Sequence, residues 1–77
     1  MAYIDSGKIL KMKFVQTKLT ALLKAADKSV SDVVYTFDPN SDEETVYIEF
    51  DSGNVEKVDV TGDSLAALAK EVIGGIF

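Results

Sequence analysis

The feature that most constrains this chain is a short loop, Asp51-Ser52-Gly53, set between two segments whose apolar residues alternate. Val46, Ile48 and Phe50 alternate with Thr45, Tyr47 and Glu49, the period-two pattern of a strand with one buried face. The loop suits a three-residue hairpin connection, with glycine at the left-handed position where a Cβ is costly. That geometry sets Phe50 against Asn54, Val46 against Val58 and Tyr47 against Lys57. Val46, Ile48, Phe50, Val58 and Val60 then share one face, which is the condition for a register that does not slip. Glu56 falls on that face near the hairpin end, where it reaches solvent.

Upstream, Val33, Tyr35 and Phe37 within residues 32–38 give a further strand, ended by the turn Asp38-Pro39-Asn40-Ser41. Residues 32–60 therefore read as a three-stranded antiparallel meander. Downstream, Leu65, Leu68, Ala69, Val72 and Ile73 form an apolar stripe at helical spacing. This predicts a helix over about 63–73, started by Asp63 or Ser64 and closed by Gly74 in a left-handed conformation.

The first part of the chain echoes the second at an offset of 46 residues. Asp5-Ser6-Gly7 matches Asp51-Ser52-Gly53, Lys11 matches Lys57, Leu19 matches Leu65, Leu22 matches Leu68, and Lys24 matches Lys70. Carrying the second reading across gives a short edge segment at Ala2 to Ile4, a turn, and a strand over 8–15. In that strand Leu10, Met12 and Phe14 face the core. A helix over about 17–26 follows, buried through Leu19, Leu22, Leu23 and Ala26. The competing reading extends this helix back to Lys8, which sets Leu10 and Phe14 opposite Leu19 and Leu22; the strand is preferred. The expected fold is a single α+β domain, with three to four antiparallel strands and two amphipathic helices packed on one face.

Composition narrows the chemistry. The 77 residues hold no cysteine, histidine or tryptophan, and all eight basic residues are lysine. Disulfides, thiolate metal sites, imidazole catalysis and bidentate arginine recognition are thus all excluded. No cofactor or metal is expected, and an enzyme is not. No apolar run approaches the roughly 20 residues that span a bilayer, so a cytoplasmic protein with no membrane association is the default. The net charge is −5, unevenly placed: residues 1–28 carry six lysines against two acids, and the rest carries two lysines against eleven acids. The plainest reading is that the two parts attract each other.

Three surfaces are candidates for function. The first is an acidic interaction surface of Glu43, Glu44, Tyr47, Glu49 and Asp59, joined by the terminal Ile76 and Phe77. It suits a protein partner, as in an acidic inhibitor or accessory subunit of the kind small phage or mobile-element proteins supply. Ile76 and Phe77 either fold back onto the core or dock a second subunit, so a homodimer is considered. The second is the lysine cluster Lys8, Lys11, Lys13 and Lys18, a phosphate-contacting patch in a nucleic-acid-associated domain. The helix–three strands–helix order resembles the double-stranded RNA-binding domain in topology. The lysine-rich start of the second helix in that family is replaced here by Thr61-Gly62-Asp63-Ser64, and net acidity further disfavours nucleic acid. The third is Asp38, Asn40, Asp42 and Glu49 at the spacing of a calcium loop. Glu43 stands where that loop needs glycine, and both flanks read as strands, so this is an acidic hairpin loop. The Glu43-Glu44 pair and the Asp-Ser-Gly serines read as structural, because adjacent strand residues diverge and no base flanks either serine. The leading expectation is a small non-enzymatic interaction module.

Overall fold

A computed structural model of the chain describes residues 6–76. The elements run α1 (Ser6–Phe14), a π-helical turn (Val15–Leu19), α2 (Thr20–Ala26), β1 (Val30–Phe37), β2 (Glu44–Phe50), β3 (Val55–Asp59) and α3 (Leu65–Ile76). This is an α+β arrangement with one antiparallel sheet in the order β1-β2-β3. The expected edge segment at Ala2 to Ile4 lies outside the described residues.

The expected strand over 8–15 is helix instead. Phe14 and Thr20, at the two junctions, both have right-handed helical dihedrals (φ −60°, ψ −46° and φ −58°, ψ −47°), so α1, the π turn and α2 form one continuous helix. Local propensity agrees with it: Lys8, Leu10, Lys11, Met12 and Lys13 are unbranched side chains that lose little freedom in a helix. The apparent phase conflict does not arise, because Leu10 and Leu22 are not core positions; the helix does contain one π turn. The Thr20 N–H reaches back five residues to the Val15 carbonyl, and the Thr20 hydroxyl donates to that same oxygen at 2.5 Å. The Thr17 hydroxyl donates to the Lys13 carbonyl at 2.6 Å. Steps of four residues in an α-helix precess by about 40° each. One wider turn between Val15 and Leu19 takes back some of that drift. Val15, Leu19 and Leu23 are accordingly all buried. The expected core positions Leu10 and Leu22 are instead 56% and 52% exposed, and Ala26 is exposed as well.

The helix ends in a tight turn. The Asp27 N–H still bonds the Leu23 carbonyl at 2.8 Å, while the Asp27 carboxylate accepts from the N–H and hydroxyl of Ser29 at 2.9 and 2.7 Å. These hydrogen bonds, the hydroxyl first, hold the exposed Asp27 carboxyl below its usual value. The chain then enters β1, which begins at Val30, with a register shift before Asp32.

The second hairpin forms in the expected register. Val46 pairs with Val58 and Tyr47 with Lys57; the Phe50 N–H bonds the Asn54 carbonyl at 2.9 Å, and Gly53 has φ +91°. The β1–β2 loop uses Asp42 at φ +60°, a conformation aspartate tolerates better than most residues. At α3, Ser64 is the cap, its hydroxyl accepting from the Ala67 N–H at 3.2 Å. The helix does not stop at Gly74. It continues through Gly75, where a Cβ would lie 3.4 Å from Val58, so the small residue permits close approach to β3. Val15, Leu19, Leu23, Val30, Val33, Tyr35, Val46, Ile48, Val60, Leu68 and Val72 form one buried cluster.

Candidate functional site

Glu44 opens β2 on the same pleat face as Val46 and Ile48, so the period of the strand directs its carboxylate inward. It is 3% exposed, which corrects its expected place on the interaction surface. A buried charge survives only with partners, and the Glu44 carboxylate has three. Lys11 of α1 donates to Oε1 at 2.7 Å, and the Tyr35 hydroxyl of β1 donates to the same oxygen at 2.5 Å. The Gly62 N–H donates to Oε2 at 2.8 Å. The Glu44 N–H donates to the Thr61 hydroxyl at 2.9 Å. Burial pushes the carboxyl up, but the Lys11 hydrogen bond, then Tyr35 and Gly62, together with the lysine charge, hold it below its ordinary value. The cluster ties the first helix, β1, β2 and the β3–α3 turn at one point. The Lys11, Tyr35 and Gly62 donors all converge on the carboxylate, an arrangement that fixes its geometry.

The other expected surface residues separate into groups. Glu43 is exposed in the loop before β2. Tyr47 and Glu49 are half-buried and Asp59 is exposed, and all three lie on the sheet face opposite Val46 and Ile48. There the register sets Thr36, Thr45 and Asp59 in one cross-strand row, Val34, Tyr47 and Lys57 in the next, and Asp32, Glu49 and Val55 in the third. The Lys57 ammonium lies 5.9 Å from the centre of the Tyr47 ring, within cation–π range. The Thr61 hydroxyl and N–H bond Asp59 at 2.6 and 3.0 Å and hold that carboxyl below its usual value. Ile76 ends α3, and Phe77 lies outside the described residues.

The lysine cluster is also divided. Lys8 pairs with Asp42 at 3.1 Å and lies 5.3 Å from the centre of the Phe37 ring, and Lys11 is held by Glu44. Among the described residues, two specific ion pairs thus join the basic and acidic parts of the chain. Lys13 and Lys18 stay exposed. They flank a groove of about 250 Å³ lined also by Leu10, Phe14, Thr17 and Leu65. The positions 10, 13, 14, 17 and 18 are a helical stripe. Its spacing is present in the sequence, but it has meaning only once residues 8–15 are read as helix.

Among the described residues no group of three or more carboxylates gathers to hold a metal ion. The Asp38 carboxylate instead accepts from the Asn40 N–H at 2.9 Å. No helix among the described residues is long and apolar enough to cross a membrane. Comparison with protein-family models, with curated proteins and with solved structures finds no match for this chain.

Proposed function

We propose that this chain is a small protein-interaction module without chemistry of its own, and that the sheet face carrying Tyr47, Glu49 and Asp59 is its contact surface. One observation carries the reading: across three strands, a half-buried tyrosine and valine are bracketed by Asp32, Glu49 and Asp59. An aromatic centre with a charged rim is the usual anatomy of a protein contact. In this reading both helices pack on the other face, supported by the joining of their buried residues with Val33, Tyr35, Val46 and Ile48 in one cluster. The net charge of −5 favours a basic partner, as for an acidic inhibitor or accessory subunit. The nucleic-acid alternative draws less support, because Lys8 and Lys11 are already engaged by carboxylates. The test is capture of partners at low and high salt by the wild-type chain and by a Tyr47→Ala, Glu49→Lys, Asp59→Lys variant. Capture should weaken with salt and disappear in the variant; capture unchanged by these substitutions overturns the reading.

A further inference from the structure

The groove beside the first helix differs in character from the sheet face. Its floor is apolar, and Leu10, 56% exposed, and the neighbouring Ile9, 39% exposed, are among the most exposed large hydrophobic residues described. At about 250 Å³ it falls below the roughly 300–1,000 Å³ of pockets that take small molecules and cofactors. It is the size for anchoring side chains of a protein segment. The stripe from Leu10 to Lys18 is about 12 Å long at 1.5 Å per residue, a length matched by two turns of a docked helix.

Charge identifies the occupant. The chain holds thirteen acidic residues for eight lysines, yet Lys13 and Lys18 make no ion pair among the described residues. Lys8 and Lys11, one turn away along the same helix, are each paired. Lys24, Lys28, Lys57 and Lys70 also make no ion pair among the described residues, but Lys13 and Lys18 alone of these stand on the wall of the exposed apolar groove.

We propose that this groove docks an acidic amphipathic segment of a partner protein. An apolar anchor of that segment fills the space over Leu10, Phe14 and Leu65, and flanking carboxylates meet Lys13 and Lys18. This surface prefers a partner of the opposite charge to one suited to the acidic sheet face, and either assignment can fail without the other.

The test is selection from a random-peptide library on the full chain, followed by binding measurements on the enriched peptides. Enriched sequences should carry Leu, Ile, Phe or Trp flanked by Asp or Glu, with affinity falling as salt rises. Binding should weaken at least about tenfold in Leu10→Asp and in the double variant Lys13→Glu, Lys18→Glu. It should be unchanged in Lys57→Glu on the sheet face. All four positions are exposed, and thermal melts verify that each variant folds. The proposal is overturned if no peptide enriches, if enriched peptides are basic, or if binding ignores the groove substitutions. It is equally overturned if dodecanoate or a single-stranded oligonucleotide binds through Lys13 and Lys18 more tightly than any selected peptide.

Discussion

Two Asp-Ser-Gly tripeptides in this chain have different structural fates. Ser52 and Gly53 close a hairpin, with Gly53 at φ +91°, whereas Ser6 and Gly7 belong to the first turn of a helix. The tripeptide is permissive, and its neighbours decide. Asp51 follows the alternating strand Glu44–Phe50 and precedes Val55, Val58 and Val60, whose branched side chains suit a pleated surface. Gly7 precedes Lys8, Leu10, Lys11, Met12 and Lys13, which suit a helix. The matched lysines diverge accordingly. Lys11 runs from the helix to a buried carboxylate, and Lys57 lies over an exposed-face tyrosine.

The largest effects test whether the two units share one core. Leu23→Ala in the first and Ile48→Ala in the second should each cost about 3 kcal/mol, measured by urea denaturation. Helix and strand signals should be lost in a single transition in both variants. A strand signal that survives loss of the helix signal would separate the units.

Next in size, Lys11→Met should cost about 3 kcal/mol, because it strands the buried Glu44 carboxylate. Lys57→Met should cost less than about 1 kcal/mol, since it removes only an exposed cation–π contact. Equal losses at the matched lysines would abolish the distinction drawn between them.

Acid should act through the same carboxylate. Because the folded Glu44 carboxyl titrates below its ordinary value, its stabilisation is complete above the unfolded value of about 4.3. It is lost as pH falls through the folded value. Asp27 and Asp59 shift in the same direction, so the difference between wild type and Glu44→Gln isolates the Glu44 share. The urea midpoint of the wild type should fall more steeply on acidification than that of Glu44→Gln, and parallel curves would remove Glu44 from the account.

The smallest pair should differ in sign. Gly53→Ala should destabilise by about 1 kcal/mol, because alanine resists a positive φ. Gly7→Ala, exposed and helical, should stabilise by up to about 0.5 kcal/mol. Thermal melts of the two variants compare them directly.

The elements legible in the sequence were those determined by local pattern. The Val46–Val58 register followed from loop length and pleat period, and the α3 stripe from Leu65, Leu68 and Val72. The first helix was hidden because its two most conspicuous leucines mislead: Leu10 and Leu22 stay exposed, while Val15, Leu19 and Leu23, spaced i, i+4 and i+8, make the buried face. The matching tripeptide favours a strand over 8–15 and so places Leu10 in a core it does not enter. The groove was missed with it, since its stripe exists only on a helix. Glu44 was misplaced because its neighbours in sequence are acidic and solvated, while its partners Lys11 and Gly62 are distant in sequence.

By itself, the sequence determined the meander, its second hairpin register, the terminal helix and the chemistry excluded by composition. These rest on interactions within a few residues, where spacing and turn stereochemistry suffice. Tertiary structure decided that Ser6 and Gly7 open a helix, that Glu44 is a buried anchor, and that four lysines divide into two ion pairs and a groove wall. Each of those depends on the free energy of bringing distant groups together, burying a carboxylate only where an ammonium, a hydroxyl and an amide converge on it.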